Sequence, residues 1–446
     1  MPKQEGGSRP RRPQVLKGMR DFPPDQMLVR QHVINTFRTV FERYGFEPID
    51  TPVLEYIETL TGKYGEDEKL IYHFEDHGGR EIGLRYDLTV PLSRFIATHR
   101  NELTFPFKRY HIAPVFRADR PQRGRYREFW QCDVDIVGSS SMLADAEVLM
   151  VWMDSLSAIN MPNFVVQINH RKLLQSLAVY AGVPLDQTPT IHRAIDKLDK
   201  IGRDGVTEEM LRNQISSDSA SKVLDLVALD GPPSDVLTEL RQRLTGIELA
   251  QEGIDELEAL FRYLEELSAN PRLYTLNLAL ARGLDYYTGP VFEATVKEPA
   301  IGSLGGAGRY DGLIGMFLGE DIPATGASLG LERIVDVIQE LELLPPRGSV
   351  SEVLVTVFSD ELLPQSLGFV SALRRDFVNA DVFFDPSRDL RRQIQYADKR
   401  GIPIVAFLGP DEVAQGTVNL RHIATGEQTT VAQADATEAI TRLLDS

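Results

Sequence analysis

The sequence predicts an α+β protein with a separate, smaller α/β domain at its C-terminal end. Three observations point there. Short β-like runs occupy the first 140 residues and recur at 273–297, the stretch from about 171 to 270 is almost entirely helical in pattern, and beyond 349 strands and helices alternate. The 446 residues suit two to four domains at roughly 150 residues each. A hydrophobic fraction of 42% with 25% charged residues is ordinary for a globular chain and excludes global disorder.

Taken in order, residues 1–14 (MPKQEGGSRPRRPQ) lack the apolar stretch of a secretory signal and read as a short disordered basic arm. From Asp25 to Tyr44, Val29, Val33, Phe37, Val40, Phe41 and Tyr44 fall at helical spacing, with Pro23-Pro24 before them and Gly45 after. FEPI at 46–49, KLIYHF at 69–74 and EIGLRY at 81–86 read as strands, and Phe105 to Arg117 as a longer extended segment. In 127–137 the two-residue period puts Trp130, Cys132, Val134 and Ile136 on one face and Gln131, Asp133 and Asp135 on the other. Such a strand either faces water or lines a polar pocket.

A helix is expected at 142–159. Within the helical stretch, 201–270 holds 15 acidic and 6 basic residues, a charged helical insertion. Strands follow at 273–278 and 290–297, then a glycine-rich turn, GSLGGAG, at 302–308. A helix at 327–343 has its apolar stripe at Leu331, Ile334, Val335, Ile338 and Leu341. The breaker cluster Pro345-Pro346-Arg347-Gly348-Ser349 is the best domain boundary. Past it, EVLVTVF, DVFFD and IPIVAFLG alternate with helices, which predicts a largely parallel sheet over 350–446.

Composition narrows the chemistry. Cys132 is the single cysteine, so neither an intrachain disulfide nor a thiolate zinc site can form, and a reducing, cytoplasmic location is expected. No apolar run approaches the roughly 18 residues that cross a bilayer, so no membrane partner is expected. The eight histidines show no metal-ligand spacing, and GxxxxGK[ST], HExxH and GxSxG are all missing. The net charge of −17 argues at first against a nucleic-acid partner. It is an average over unlike regions, however. The 201–270 stretch contributes −9 and 350–446 another −5, while Arg388, Arg391, Arg392, Lys399 and Arg400 cluster inside the latter.

Three constellations stand out. Between 108 and 127, seven Lys/Arg (Lys108, Arg109, Arg117, Arg120, Arg123, Arg125, Arg127) meet one acid, Asp119. Guanidinium groups are always charged and match phosphate oxygens with a bidentate fork, so an arginine-rich hairpin suits a polyphosphate lying across a sheet. A solvated basic hairpin would carry the same charges. Second, 282-RGLDYYTG-289 joins Arg282, an aspartate and two tyrosines, Tyr286 and Tyr287, a poor core but a fitting wall for a small polar pocket. Each tyrosine alone could equally be a packing residue. Third, 326-GASLGLERI-334 puts Gly330 and Arg333 in the first turns of a helix, where the dipole attracts anions. An arginine there could also be an ordinary surface residue.

Together these segments resemble the histidyl-tRNA synthetase family of class II aminoacyl-tRNA synthetases. The resemblance lies in GMRDFPP at 18–24, YGFEPIDTPVLE at 44–55 (class II motif 1), FRADRPQRGRYREFWQCDVDIVG (motif 2), ARGLDYYTGPVFEA at 281–294 (the histidine-specific signature) and GASLGLERI (motif 3). RRQIQYADKRGIPIVAFLG at 391–409 resembles the family's anticodon-binding domain. The resemblance implies an antiparallel sheet flanked by helices as the catalytic domain (15–170 and 271–344), a helical insertion (171–270), a linker (345–349) and an anticodon-binding domain (350–446). It implies a homodimer joined through motif 1, with histidine, ATP and tRNA(His) as partners and Mg2+ accompanying the ATP.

By motif position the resemblance gives Arg117 the α-phosphate and the substrate carboxylate, and Arg282 a second cation beside them. Asp119, Arg125 and Arg333 serve ATP, the last at its γ-phosphate. Asp87 and Thr89 in 84-LRYDLTV-90 bind the amino group, Gln131 and Asp135 meet the substrate, and Asp135 with Tyr287 recognises the imidazole. Tyr286 and Tyr310 complete the histidine pocket. Two positions depart from common forms: Asp87 stands where many bacterial members carry a longer glutamate, and Ala307 replaces the first glycine of GGRYDGL. The principal rival is the non-catalytic paralogue that regulates ATP phosphoribosyltransferase in histidine biosynthesis, which lacks the anticodon domain and erodes the arginines. A synthetase for threonine, proline or glycine is disfavoured by RGLDYYTG.

Overall fold

The structure is a computed structural model that describes residues 13–281, 286–344, 348–385 and 389–445. The chain divides into two compact units, one built on His32–Leu343 and the other on Leu344–Ser446, with Phe22–Gln31 grouped with the second. Among the described residues, no helix is long and apolar enough to cross a membrane.

The first unit is organised by eight strands: β1 (Glu47–Pro48), β5 (Phe107–Phe116), β6 (Glu128–Val137), β7 (Phe164–His170), β8 (Tyr274–Leu276), β9 (Pro290–Val296), β10 (Ser303–Arg309) and β11 (Ala324–Gly330). Between β1 and β5, a small antiparallel sheet is formed by β2 (Leu54–Tyr56), β3 (His73–Glu75) and β4 (Glu81–Leu84). The large sheet runs β1-β5-β6-β11-β10-β9-β7-β8; only its two end pairings, β1 with β5 and β7 with β8, are parallel. The pairings among β5, β6, β11, β10, β9 and β7 are antiparallel.

Registry defines two faces, because residues directly opposite in an antiparallel ladder share a side. Cys132, Leu329 and Gly305 form one row, Val134, Ala327 and Ala307 the next, Ile136, Thr325 and Arg309 the third. The helix Met142–Ala158 packs on this face, its N-terminus capped by Ser141 and its Trp152 fully buried. There Arg309 forms a buried ion pair with Asp145 and donates to the carbonyls of Ser139 and Ser141 at 2.9 and 3.2 Å. Burial raises the Asp145 carboxyl above the usual range, against the pull of Arg309.

From Arg171 to Glu266 every regular element is helical, with α-helices at Arg171–Ala181, Thr188–Ile195, Leu198–Arg212, Ser217–Val227, Pro233–Arg243 and Glu248–Glu266. Their apolar stripes, such as Ile254, Leu257, Phe261 and Leu264, turn inward and leave the acidic residues to solvent. In the second unit, β12 (Val353–Val355), β13 (Ala380–Val382), β14 (Ile404–Phe407), β15 (Thr417–His422) and β16 (Gln428–Ala432) form a sheet ordered β13-β12-β14-β15-β16.

Four expectations are corrected. The glycine-rich segment at 302–308 is not a turn: from Ser303 it is strand β10, where missing side chains let the chain run close beneath its neighbours. The helix expected from 327 begins only at Leu331 and ends at Glu340, because 324–330 is strand β11. The strand expected at 69–74 is split, with Gly65–Leu70 a 3-10 helix and only His73–Glu75 extended. The C-terminal sheet is parallel only among β13, β12 and β14; β15 and β16 add an antiparallel hairpin. Arg282 and Arg388 lie outside the described residues, as does nearly all of the 1–14 arm.

Removing one partner of a buried ion pair leaves an uncompensated charge. Asp145→Ala is therefore expected to lower stability by about 3–5 kcal/mol in chemical denaturation.

Candidate active site

The other face of the large sheet carries Gln131, Asp133 and Asp135 on β6, flanked by Ala113, His111 and Arg109 on β5 and by Gly330, Ser328 and Gly326 on β11. This face is the floor of a cavity of about 470 Å³. Its lining brings together residues from segments far apart in sequence: Asp87 and Thr89, Arg117 to Phe129, Gln131 to Asp135, Tyr286 and Tyr287, Tyr310, and Arg333. Every described residue singled out from the sequence as a ligand contact lines it, and the strand predicted to be polar on one face lines a pocket rather than meeting bulk water.

At one end lie carboxyl and amide groups. Asp135 is nearly fully buried, with Oδ2 2.6 Å from the Arg109 guanidinium and Oδ1 accepting from the Tyr310 hydroxyl. Asp87 Oδ1 accepts from the Tyr64 hydroxyl at 3.0 Å and from the backbone N–H of Thr89 and Val90 at 3.1 and 3.0 Å. Gln131 Nε2 donates to Ser328 Oγ at 2.7 Å. Asp87 Oδ2, Gln131 Oε1 and Asp133 Oδ1 are buried, with no hydrogen-bond partner among the described residues. Burial raises the carboxyls of Asp87 and Asp135, and pushes Asp133 up to about 8; Arg109 opposes the shift and Asp135 reinforces it.

Arginines line the same cavity, Arg117 near enough to Asp87 to oppose the rise of its carboxyl. Arg117 donates from Nε to the Tyr86 carbonyl at 3.1 Å, and its guanidinium lies 4.1 Å over the Tyr86 ring and 5.1 Å from that of Phe129. Aromatic packing fixes the plane of the fork. The hairpin between β5 and β6 turns at Gly124, with Arg125 3.8 Å from Asp119. Gly330 caps the helix Leu331–Glu340, so Arg333 lies in its first turn, as expected. It donates to the Gly124 carbonyl at 2.8 Å and to the Ser303 carbonyl, tying the hairpin to β10.

Tyr286 and Tyr287 meet edge to face at 5.0 Å, and Tyr310 lies 5.9 Å from Tyr286. Glycine is required beside them. A Cβ on Gly326 would fall 1.9 Å from Asp135 Oδ1, and one on Gly308 2.7 Å from the Tyr287 ring. Ala307, one of the two departures, is buried in the row of Val134 and Ala327 and borders the cavity.

Sequence reading left several lining or supporting groups without a role. Asp133 shared the parity of Gln131 and Asp135, which was the signal available. Arg109 was noted only as one charge of a cluster; its contact with Asp135 follows from the β5–β6 register. Tyr64, Ser328 and Glu332, whose Oε2 accepts from the Trp130 N–H at 2.8 Å, had no local signal.

A largely antiparallel sheet flanked by helices, with one cavity lined by buried carboxyl groups, tyrosines and arginines, is the arrangement of a class II aminoacyl-tRNA synthetase. Comparison with known proteins supports and sharpens that assignment. Residues 18–334 match the family model described as histidyl-tRNA synthetase, and 352–443 match that of the anticodon-binding domain. The histidine–tRNA ligase of Aeropyrum pernix is 43% identical, covering 99% of this chain and 100% of its own length. That of Gloeobacter violaceus is 41% identical over 97% of this chain and 99% of its own. The crystal structure of histidyl-tRNA synthetase from Nostoc sp. PCC 7120 superposes with a TM-score of 0.88 at 35% identity, covering 96% of this chain and 99% of that one. The chain belongs to the histidyl-tRNA synthetase family.

Gly326→Ala forces Asp135 off Arg109 and Tyr310. Isothermal titration with histidine is expected to show a loss of at least about tenfold in affinity, as follows when a buried charge-assisted contact is broken.

Proposed function

We propose that this protein is a histidine–tRNA ligase that activates histidine with ATP and transfers it to the 3′ end of tRNA(His). The observation that carries the reading is one cavity lined both by buried acceptors without partners among the described residues and by Arg117 and Arg333, in a chain whose full-length relatives bear that name. In the first step a carboxylate oxygen of histidine attacks the α-phosphorus of ATP. A phosphorus–oxygen bond forms, the bond to the β-phosphate breaks, and pyrophosphate leaves. In the second step a ribose hydroxyl of the terminal adenosine attacks the acyl carbon and AMP leaves.

The substrate carboxylate is already ionised at neutral pH, so activation needs no general base. Catalysis then rests on alignment and on neutralising charge at the phosphates. Arg117 suits the α-phosphate and the histidine carboxylate; Arg282 would stand with it. Arg333, Arg125 and Asp119 suit the remainder of ATP. Among the described residues no trio of His, Cys, Asp or Glu is arranged to hold a metal. Mg2+ accompanying ATP would help neutralise the triphosphate. Asp87 and Thr89 suit the α-ammonium, and Asp135, Tyr287 and Tyr310 the imidazole side. A pocket that hydrogen-bonds a polar side chain rejects analogues lacking those groups by roughly 10⁴–10⁵, because its own polar atoms would stay unmet.

The C-terminal unit suits the anticodon stem of the RNA. Motif 1 suits a homodimer contact, since Val53, Leu54 and Tyr56 are exposed apolar residues there. A cytoplasmic location follows from this function. The regulatory paralogue is the weaker reading, because this chain retains Arg117 and Arg333 in the cavity and a matched anticodon-binding region.

Purified protein is expected to exchange pyrophosphate into ATP with histidine, and not with threonine, proline or glycine. No exchange from a folded protein would favour the regulator. Arg117→Ala is expected to cut histidine-dependent exchange by about 10²–10³ while leaving the melting temperature unchanged. Sedimentation of the intact protein tests the dimer.

A further inference from the structure

We propose that Asp133 is a further substrate-binding residue: its Oδ1 accepts the α-ammonium of histidine together with Asp87 and Gln131, releasing a proton to solvent as the substrate enters. The inference rests on the histidine-activating reading and adds a residue and a proton to it.

Three observations carry it. First, an ammonium group presents three N–H donors, and three buried acceptors without partners line this cavity: Asp87 Oδ2, Gln131 Oε1 and Asp133 Oδ1. Gln131 and Asp133 share the strand face that forms the floor. Second, the charges do not balance. Asp87, Asp133 and Asp135 are each at most 3% exposed, and Arg109 makes its 2.6 Å contact with Asp135 alone. Arg117, the other cation near Asp87, is engaged by the Tyr86 carbonyl and ring and is assigned above to the α-phosphate and the substrate carboxylate. Arg85, whose field also reaches Asp133, lies 3.7 Å from Asp50, so among the described residues one positive charge is missing at the carboxyl end. Third, the remaining candidates cannot supply it. His111, directly opposite Asp133 on β5, has its pKa driven down to about 3 by burial and by Arg109 and Arg85, with Asp50 opposing, so it is neutral at physiological pH. Ser328 across β11 is neutral, and Tyr287 is held in its phenol form by burial and by the nearby carboxyls of Asp135, Asp87 and Asp133.

The consequence is a proton linkage. Burial pushes the Asp133 carboxyl up to about 8, which favours its protonated form at neutral pH. Arrival of an ammonium favours the carboxylate, so the acid gives up one proton and the pair carries no net charge. Substrate affinity should then rise with pH up to about 8 and flatten above it. The sign for stability is the reverse. A carboxyl whose pKa is raised from about 3.9 in the unfolded chain favours folding at low pH. Its contribution is lost as pH climbs to about 8.

The test uses the full-length protein, with Asp133→Asn as an isosteric variant, and titrates two probes calorimetrically. Histidinol keeps the ammonium and lacks the carboxylate; 3-(imidazol-4-yl)propionate keeps the carboxylate and lacks the ammonium. The variant is expected to bind histidinol about tenfold more weakly, the loss of a charge-assisted contact, and the propionate within about twofold of wild type. Wild type should release a proton on binding histidinol at pH 7, seen as a dependence of the heat on buffer ionisation enthalpy, and the variant should release less by the share due to Asp133. The variant's melting temperature at pH 8.5 should equal or exceed that of wild type. Equal weakening of both probes, or a lowered melting temperature, would assign Asp133 to packing and overturn the proposal. If wild type exchanges pyrophosphate with histidine and the variant binds histidinol as wild type does, the Asp133 role fails alone. If wild type shows no histidine-dependent exchange, the enzymatic reading fails with it.

Discussion

Strand β6 carries two incompatible requirements on one backbone. Its odd-numbered residues, Gln131, Asp133 and Asp135, must reach a ligand cavity, while Cys132, Val134 and Ile136 must pack beneath the helix Met142–Ala158. A period of exactly two residues per pleat is what permits both, and a slip of one residue would bury the carboxyls in the apolar layer and open the apolar layer to the cavity. The neighbouring strands hold that register from both sides, β5 over ten residue pairs and β11 over seven.

Polarity on such a floor has an energetic cost that the surrounding residues partly offset. Buried carboxyls are tolerated only when paired, hydrogen-bonded or protonated. Asp135 takes the first route through Arg109 and Tyr310, Asp87 the second through Tyr64 and two backbone N–H groups, and Asp133 the third. A site with one carboxyl held in reserve is less stable than an apolar one would be, and that reserve is what a charged substrate can use. On the opposite face the buried Asp145–Arg309 ion pair serves to hold β10 against the helix.

Much of this could be read from residue order. The alternation in 127–137, the arginine cluster between 108 and 127 and the helical stretch after 171 all rest on local periodicity or composition, and all correspond to elements of the structure. Failures occurred where local signals describe the wrong scale. Glycines in 303–308 looked like a turn because glycine permits turns; they are there because β10 runs close to Tyr287 and to the Ser328 carbonyl. The hydrophobic pattern of 327–343 continued smoothly across a strand-to-helix junction, since a strand's apolar face and a helix's apolar stripe use the same residue types.

By itself the sequence determined which residues could carry chemistry, because charge, aromaticity and period are properties of short windows. It also determined family membership, through motifs spread along the chain. Only the tertiary structure decided which of those residues share a cavity, that Arg109 serves Asp135 rather than a phosphate, and that Asp133 Oδ1 is left without a hydrogen-bond partner among the described residues. Those facts depend on strand order and register, and so on contacts between segments more than two hundred residues apart, as between Trp130 and Glu332. Pairing and burial over that distance set both the dielectric around a carboxyl and the neighbours it finds, and neither is a property of any local stretch of chain.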